Sequence, residues 1–84
     1  MPDLELYKDA VLTVDIPAEG LRAGDVGTIV EHHQVEGVKQ VGYSVEFFDM
    51  TGRTLAVVTV SADSLRAPTS ADVPSVRETS KLPE

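Results

Sequence analysis

Apolar and polar residues alternate most cleanly in "VGYSVEFF", residues 41–48, where Val41, Tyr43, Val45 and Phe47 share one face of an extended chain. The stretch predicts a strand. "TLAVVTV", residues 54–60, is rich in β-branched side chains and predicts the strand that returns. Between them "DMTGR" reads as a hairpin with the three-residue loop Met50-Thr51-Gly52, which needs a left-handed residue where Gly52 stands. That loop predicts Asp49 opposite Arg53, Phe47 opposite Leu55 and Val45 opposite Val57, so the apolar faces match. A slip of one residue would set Leu55 against Glu46. In this register the second face carries Phe48, Ala56 and Val58. Either the sheet coils enough to bury both sides, or this patch meets a partner.

The same pattern continues upstream. "AVLTVDI", residues 10–16, predicts the first strand, stopped by Pro17, which cannot donate to a ladder. "PAEGLRAGD", 17–25, is a loop whose one large apolar residue, Leu21, tucks under the sheet. "VGTIVEHH" predicts the second strand, and "QVEGVKQ", 34–40, a polar turn around Gly37. "SADSLR", 61–66, predicts one short helical turn, capped by Ser61, with Leu65 turned inward. Short strands joined by tight turns predict an all-β fold over residues 1–66, a small β-barrel of about five strands. "APTSADVPSVRETSKLPE", 67–84, has three prolines and no periodicity, and predicts a disordered C-terminal tail.

"GLRAGDVGTIV", 20–30, raises a choice between a phosphate-binding loop and a turn. A phosphate loop sets its glycines between a strand and a helix N-terminus, where N–H groups converge. Here the spacing is G-x-x-x-G-x-x-G, no lysine is present, and strand residues follow. The turn accounts for what is there: Gly24 with Asp25 turns the chain, and Gly27 admits close approach of another strand or relieves a bend. Gly24, Gly27 and Gly52 are therefore expected to be structural.

Composition narrows the function classes. The 84 residues suit one domain with a small core and a thin margin of stability. Without cysteine there is no disulfide and no thiolate metal site, which suits a cytoplasmic location. "MPDLELYKDAV" has no basic stretch leading into an apolar run, and no segment reads as a membrane span. The net charge is −7, with eleven Asp/Glu and five Lys/Arg in residues 1–66, so the acidity belongs to the domain. Such a surface repels polyphosphate and favours basic partners. His32 and His33 are adjacent in a strand and point to opposite faces. A metal site would need one of them with Glu31 or Glu36, and a solvated strand end explains them better. Ser44, Ser61 and Ser64 read as ordinary strand and turn residues. No catalytic residue, metal or cofactor is expected.

"DAVLTVDIPAEGLRAGDVGTIVEHH" and "YSVEFFDMTGRTLAVVTVSADSLR", Asp9 to Arg66, resemble a small bacterial family known as a domain of unknown function. The opening is also similar to the KOW signature of SH3-like barrels, in which G-D-x-G-x-V occupies a turn and a strand. The resemblance implies an SH3-like barrel and carries over no catalytic residue. Members of such a family are often encoded beside a toxin-like gene, which implies an antitoxin-like or immunity-like role. Many KOW domains bind RNA or ribosomal partners through basic loops, but loop 17–25 here sets Arg22 against Glu19 and Asp25.

Tyr43 and Phe47 could stack nucleic-acid bases, but their place on the alternating face assigns them to the core. Phe48, Ala56 and Val58 are expected to form the apolar centre of a protein-binding patch, with Glu46, Asp49 and Glu31 at its rim. The expected function is a non-catalytic protein-interaction module with a basic protein partner or a second copy of the chain. The alternative is a KOW-like module on RNA or on ribosomal or transcription machinery.

Overall fold

Alternating β-branched and aromatic residues build one antiparallel sheet, because that alternation puts every second side chain on a common face. The computed structural model describes residues 4–34 and 41–79. Its strands are β1 (Asp9–Leu12), β2 (Val26–Gln34), β3 (Val41–Phe48), β4 (Thr54–Ser61) and β5 (Leu65–Arg66). Their order across the sheet is β4-β3-β2-β1-β5, every pair antiparallel. Short 3-10 turns occupy Pro17–Glu19 and Ala62–Ser64, and no α-helix occurs among the described residues. The fold is all-β. The turn expected around Gly37 lies outside the described residues.

One side of the sheet holds the core: Leu12, Ile29, Tyr43, Val45 and Phe47 are its largest fully buried side chains, joined by Ala10, Leu21, Ala56 and Leu65. Leu21 and Leu65 lie in the core, as their lone apolar character among polar neighbours suggests. β1 is shorter than its apolar run. After Leu12 the backbone turns away: Thr13 N–H donates to the Ser64 carbonyl, and Ile16 makes only an isolated bridge to Leu21. Pro17 opens a 3-10 turn there, closed by Gly20 in the left-handed conformation at φ +71°. Ser61 makes no side-chain capping bond; its turn sits directly between two strands.

The hairpin register differs from the expected one beyond its first pairs. Gly52 has φ +91°, Asp49 N–H donates to the Arg53 carbonyl, and Phe48 faces Thr54. Leu55 then bulges, so Phe47 faces Ala56 and Val45 faces Val58. The shift has a packing reason. Without it Leu55, Val57 and Thr59 would face the core; with it Ala56, Val58 and Val60 do, and the hydroxyl of Thr59 meets Ser44 on the outer face.

Gly27 lies where β3 presses on β2. A Cβ there would stand 2.5 Å from Val45 Cγ1 and 2.9 Å from the Glu46 carbonyl oxygen. Gly24 has φ +97° and open space around it, so conformation alone favours glycine at that position. Residues 67–79, expected as part of a disordered tail, carry no regular secondary structure but follow a placed course. The Arg66 guanidinium donates to both carboxylate oxygens of Asp72 at 2.9 and 2.7 Å. Arg77 forms an ion pair with Asp25 and donates to the Gly20 carbonyl. Polar anchors, which leave no apolar period in the sequence, hold this segment.

Candidate functional site

The segment 67–79 and the adjacent end of the sheet enclose a groove of about 710 Å³. Its body wall carries Val26 from the start of β2, Phe48 from the end of β3, Met50 from the hairpin loop and the bulged Leu55. Val73 and Val76 stand on the segment opposite. Val26, Phe48, Met50, Val73 and Val76 are all exposed, so their apolar surface stands in water rather than in the core.

The charged side chains around this groove are held by backbone turns as well as by pairing with one another. Asp9, Asp25, Asp49 and Asp72 line it, with Arg66 and Arg77. Each arginine is committed to one aspartate, Arg66 to Asp72 and Arg77 to Asp25. Those contacts raise the pKa of both guanidinium groups. The Arg66 guanidinium and the Thr69 N–H hold the Asp72 carboxyl well below the usual carboxylate range. The carboxylate of Asp49 accepts from the Thr51 hydroxyl and from the N–H groups of Arg53 and Thr51, which lowers its pKa too. Asp9 and Asp49 have no ion-pair partner among the described residues. The rim is acidic.

The profile of a family described as Domain of unknown function (DUF4926) matches residues 6–67. The chain belongs to that family. No curated protein and no solved structure matches it. The family match covers the whole sheet and the body wall of the groove, and stops before Val73 and Val76 on the opposite wall.

Of the expected patch in this DUF4926 domain, Phe48 and Asp49 line the groove. Ala56 does not: it is 6% exposed and packs in the core, and Val58 packs against the core on the same face. The Leu55 bulge is the cause, since one extra residue exchanges the faces of everything after it. Leu55 itself replaces them at the groove. Glu46 is on the outer face with Phe48, opposite Thr28 and Val57, and accepts a hydrogen bond from the Thr54 hydroxyl. Glu31 stands further along that face beside His33. Sequence reasoning missed Val26, Val73, Val76 and Gly20. The Val-Pro-Ser-Val stretch was the visible signal for the two valines, because a solvated tail has no need of large aliphatics.

The outer face of the same sheet carries a second polar cluster. His33 Nε2 lies 2.8 Å from Ser44 Oγ, which lies 2.9 Å from Thr59 Oγ1. Glu31 Oε1 lies 3.6 Å from the same His33 nitrogen. In a hydrolase relay the acid orients the imidazole through its other nitrogen. Here carboxylate and hydroxyl share one nitrogen, and Ser44 is buried, so the cluster satisfies a buried hydroxyl between strands. His32 points the other way and stacks on Tyr43, ring centroids 5.2 Å apart. The described residues hold no group of three or more potential metal ligands. No helix of the described residues is long and apolar enough to cross a membrane.

Proposed function

We propose that this DUF4926 domain is a non-catalytic protein-interaction module, an SH3-like barrel whose groove receives a basic protein partner in the cytoplasm, in the manner of an antitoxin or immunity protein. The observation that carries the reading is the groove: exposed apolar side chains on two walls with an acidic rim. An apolar centre with a charged rim is the layout of a specific protein interface, the rim steering a partner of opposite charge. The consecutive antiparallel order β4-β3-β2-β1, with β5 returning beside β1, supports the SH3-like assignment. The net charge of −7 favours a basic partner over nucleic acid, and over self-association of like-charged copies.

The test is affinity capture from the native cytosol with the tagged chain, beside its Phe48→Ser variant. Phe48 is 42% exposed, so the variant is expected to keep its melting behaviour and lose a basic partner identified by mass spectrometry. An unfolded variant, or one that captures the same partner undiminished, refutes the site. Titration with labelled single-stranded RNA and duplex DNA at about 150 mM salt, where the Debye length is about 8 Å, is expected to show no saturable binding. Saturation near micromolar would replace this function with an RNA-binding one.

A further inference from the structure

We infer that the groove takes a segment of a partner protein that is aliphatic at its centre and carries Lys or Arg at both ends, with residues 68–79 forming one wall of the site. The inference rests on the interaction-module reading and specifies the ligand for it.

The first argument is the state of Val73 and Val76. They are 84% and 76% exposed, although they sit in a segment whose course is set on both sides of them. Asp72 ties its near end to Arg66, and Arg77 ties its far end to Asp25 and to the Gly20 carbonyl. Thr79 adds a hydroxyl bond to the same carbonyl at 3.0 Å. Held at both ends, the valines do not collapse onto Phe48. The result is ordered but unpacked aliphatic surface facing exposed Val26, Phe48 and Met50. A partner segment ordered between such walls loses less freedom than one that must also order the wall.

The second argument is charge complementarity. Both arginines that line the groove are taken by Asp72 and Asp25, so Asp9 and Asp49 tip the rim negative, with Arg53 beside Asp49 offsetting part of its charge. They stand on different elements, Asp9 at the start of β1 and Asp49 at the hairpin, so a ligand lying between them meets a carboxylate from each. Basic residues on both flanks answer both carboxylates. A second copy of this acidic chain would bring more negative charge to the rim.

The experiment uses the full chain and three labelled synthetic peptides: a Val/Leu centre flanked by lysines, the same centre flanked by glutamates, and a serine centre flanked by lysines. Anisotropy at about 150 mM salt is expected to show saturable binding of the first, with the other two at least tenfold weaker, about 1.4 kcal/mol. Val76→Ser and Arg77→Ala should each weaken the first peptide several-fold with the melting temperature kept, and Asp9→Asn should weaken it less and flatten its salt dependence. Equal binding of lysine-flanked and glutamate-flanked peptides, equal binding of the serine-centred one, or no binding overturns the ligand class. Parent-like binding by both Val76→Ser and Arg77→Ala overturns the wall. Val76 is highly exposed, so its variant tests the wall without disturbing the sheet. Should peptides fail while the parent still captures a basic partner in a Phe48-dependent way, only this ligand assignment falls. Loss of both removes the interaction module as well.

Discussion

The sheet and the segment that follows it are ordered by different forces. From Asp9 to Arg66 the chain is held by strand ladders and by apolar side chains withdrawn from water, with Ile29 and Val45 wholly buried. From residue 67 to 79 every residue but one is exposed, and order comes from Arg66 with Asp72 and Arg77 with Asp25. Burial is cooperative: each core residue touches many others, and losing one loosens all. An exposed ion pair is local and screened by salt. The sheet is thus the scaffold, and the segment is an attachment whose anchors are separate from the core.

Striking at the core should have the largest effect. Phe47→Ala removes a ring that is 2% exposed, and is expected to cost about 3–5 kcal/mol, enough to unfold much of so small a domain. Loss of the cooperative thermal transition is the readout; a cooperative melt close to the parent's would show that the sheet is not held as described. Gly27→Val comes next. A branched side chain there meets Val45 and the β3 backbone, an overpacking cost of about 3 kcal/mol. Chemical denaturation should report it through the midpoint, and an unchanged midpoint would deny the close approach of β2 and β3.

Gly52→Ala probes conformation without crowding, since nothing lies within 4 Å of the added Cβ. The left-handed φ alone should cost about 1 kcal/mol. A variant as stable as the parent would mean the hairpin loop relaxes to another form. Removing residues 69–84 should matter less still to the sheet. The expected drop in melting midpoint is smaller than the roughly 4–8 °C that corresponds to 1 kcal/mol at this size. A larger drop would merge the two regions into one cooperative unit.

The smallest effect is the pH response of the segment. The Asp72 carboxyl is held below its unfolded value of about 3.9. Its contribution is therefore fully present above that value, and is lost only as pH falls through the lower folded one. Thr69 N–H donates to this carboxylate at 2.6 Å, so its amide resonance reports the event. It should stay constant from pH 7 to about 5 and move only well below pH 4. A midpoint at the ordinary aspartate value would show that the Arg66–Asp72 pair does not hold the segment.

Local chemistry was enough for several features. The alternation in residues 41–48 specifies β3 because period two has one meaning in a chain too short for a helix face. The three-residue loop requires left-handed backbone where Gly52 stands, and Gly52 adopts it at φ +91°. Phe48 and Asp49 at the groove follow from the same hairpin, since its turn sets the nearest pairs. Three things needed the folded chain. The Leu55 bulge depends on whether Thr59 or Val60 faces the core, a choice settled only when Ser44 and Tyr43 are in place on the neighbouring strand. The anchor of Arg77 joins residues 52 positions apart, from the segment to Asp25. No periodicity encodes an ion pair at that separation. The groove needs both: the bulge removes Ala56 and Val58 from the outer face and sends Leu55 there, and the anchors bring Val73 and Val76 opposite. Sequence by itself determined the strands and their turns, because those obey neighbour-to-neighbour sterics and burial. Tertiary structure alone decided which apolar side chains stay in water, because that depends on which distant groups reach them first.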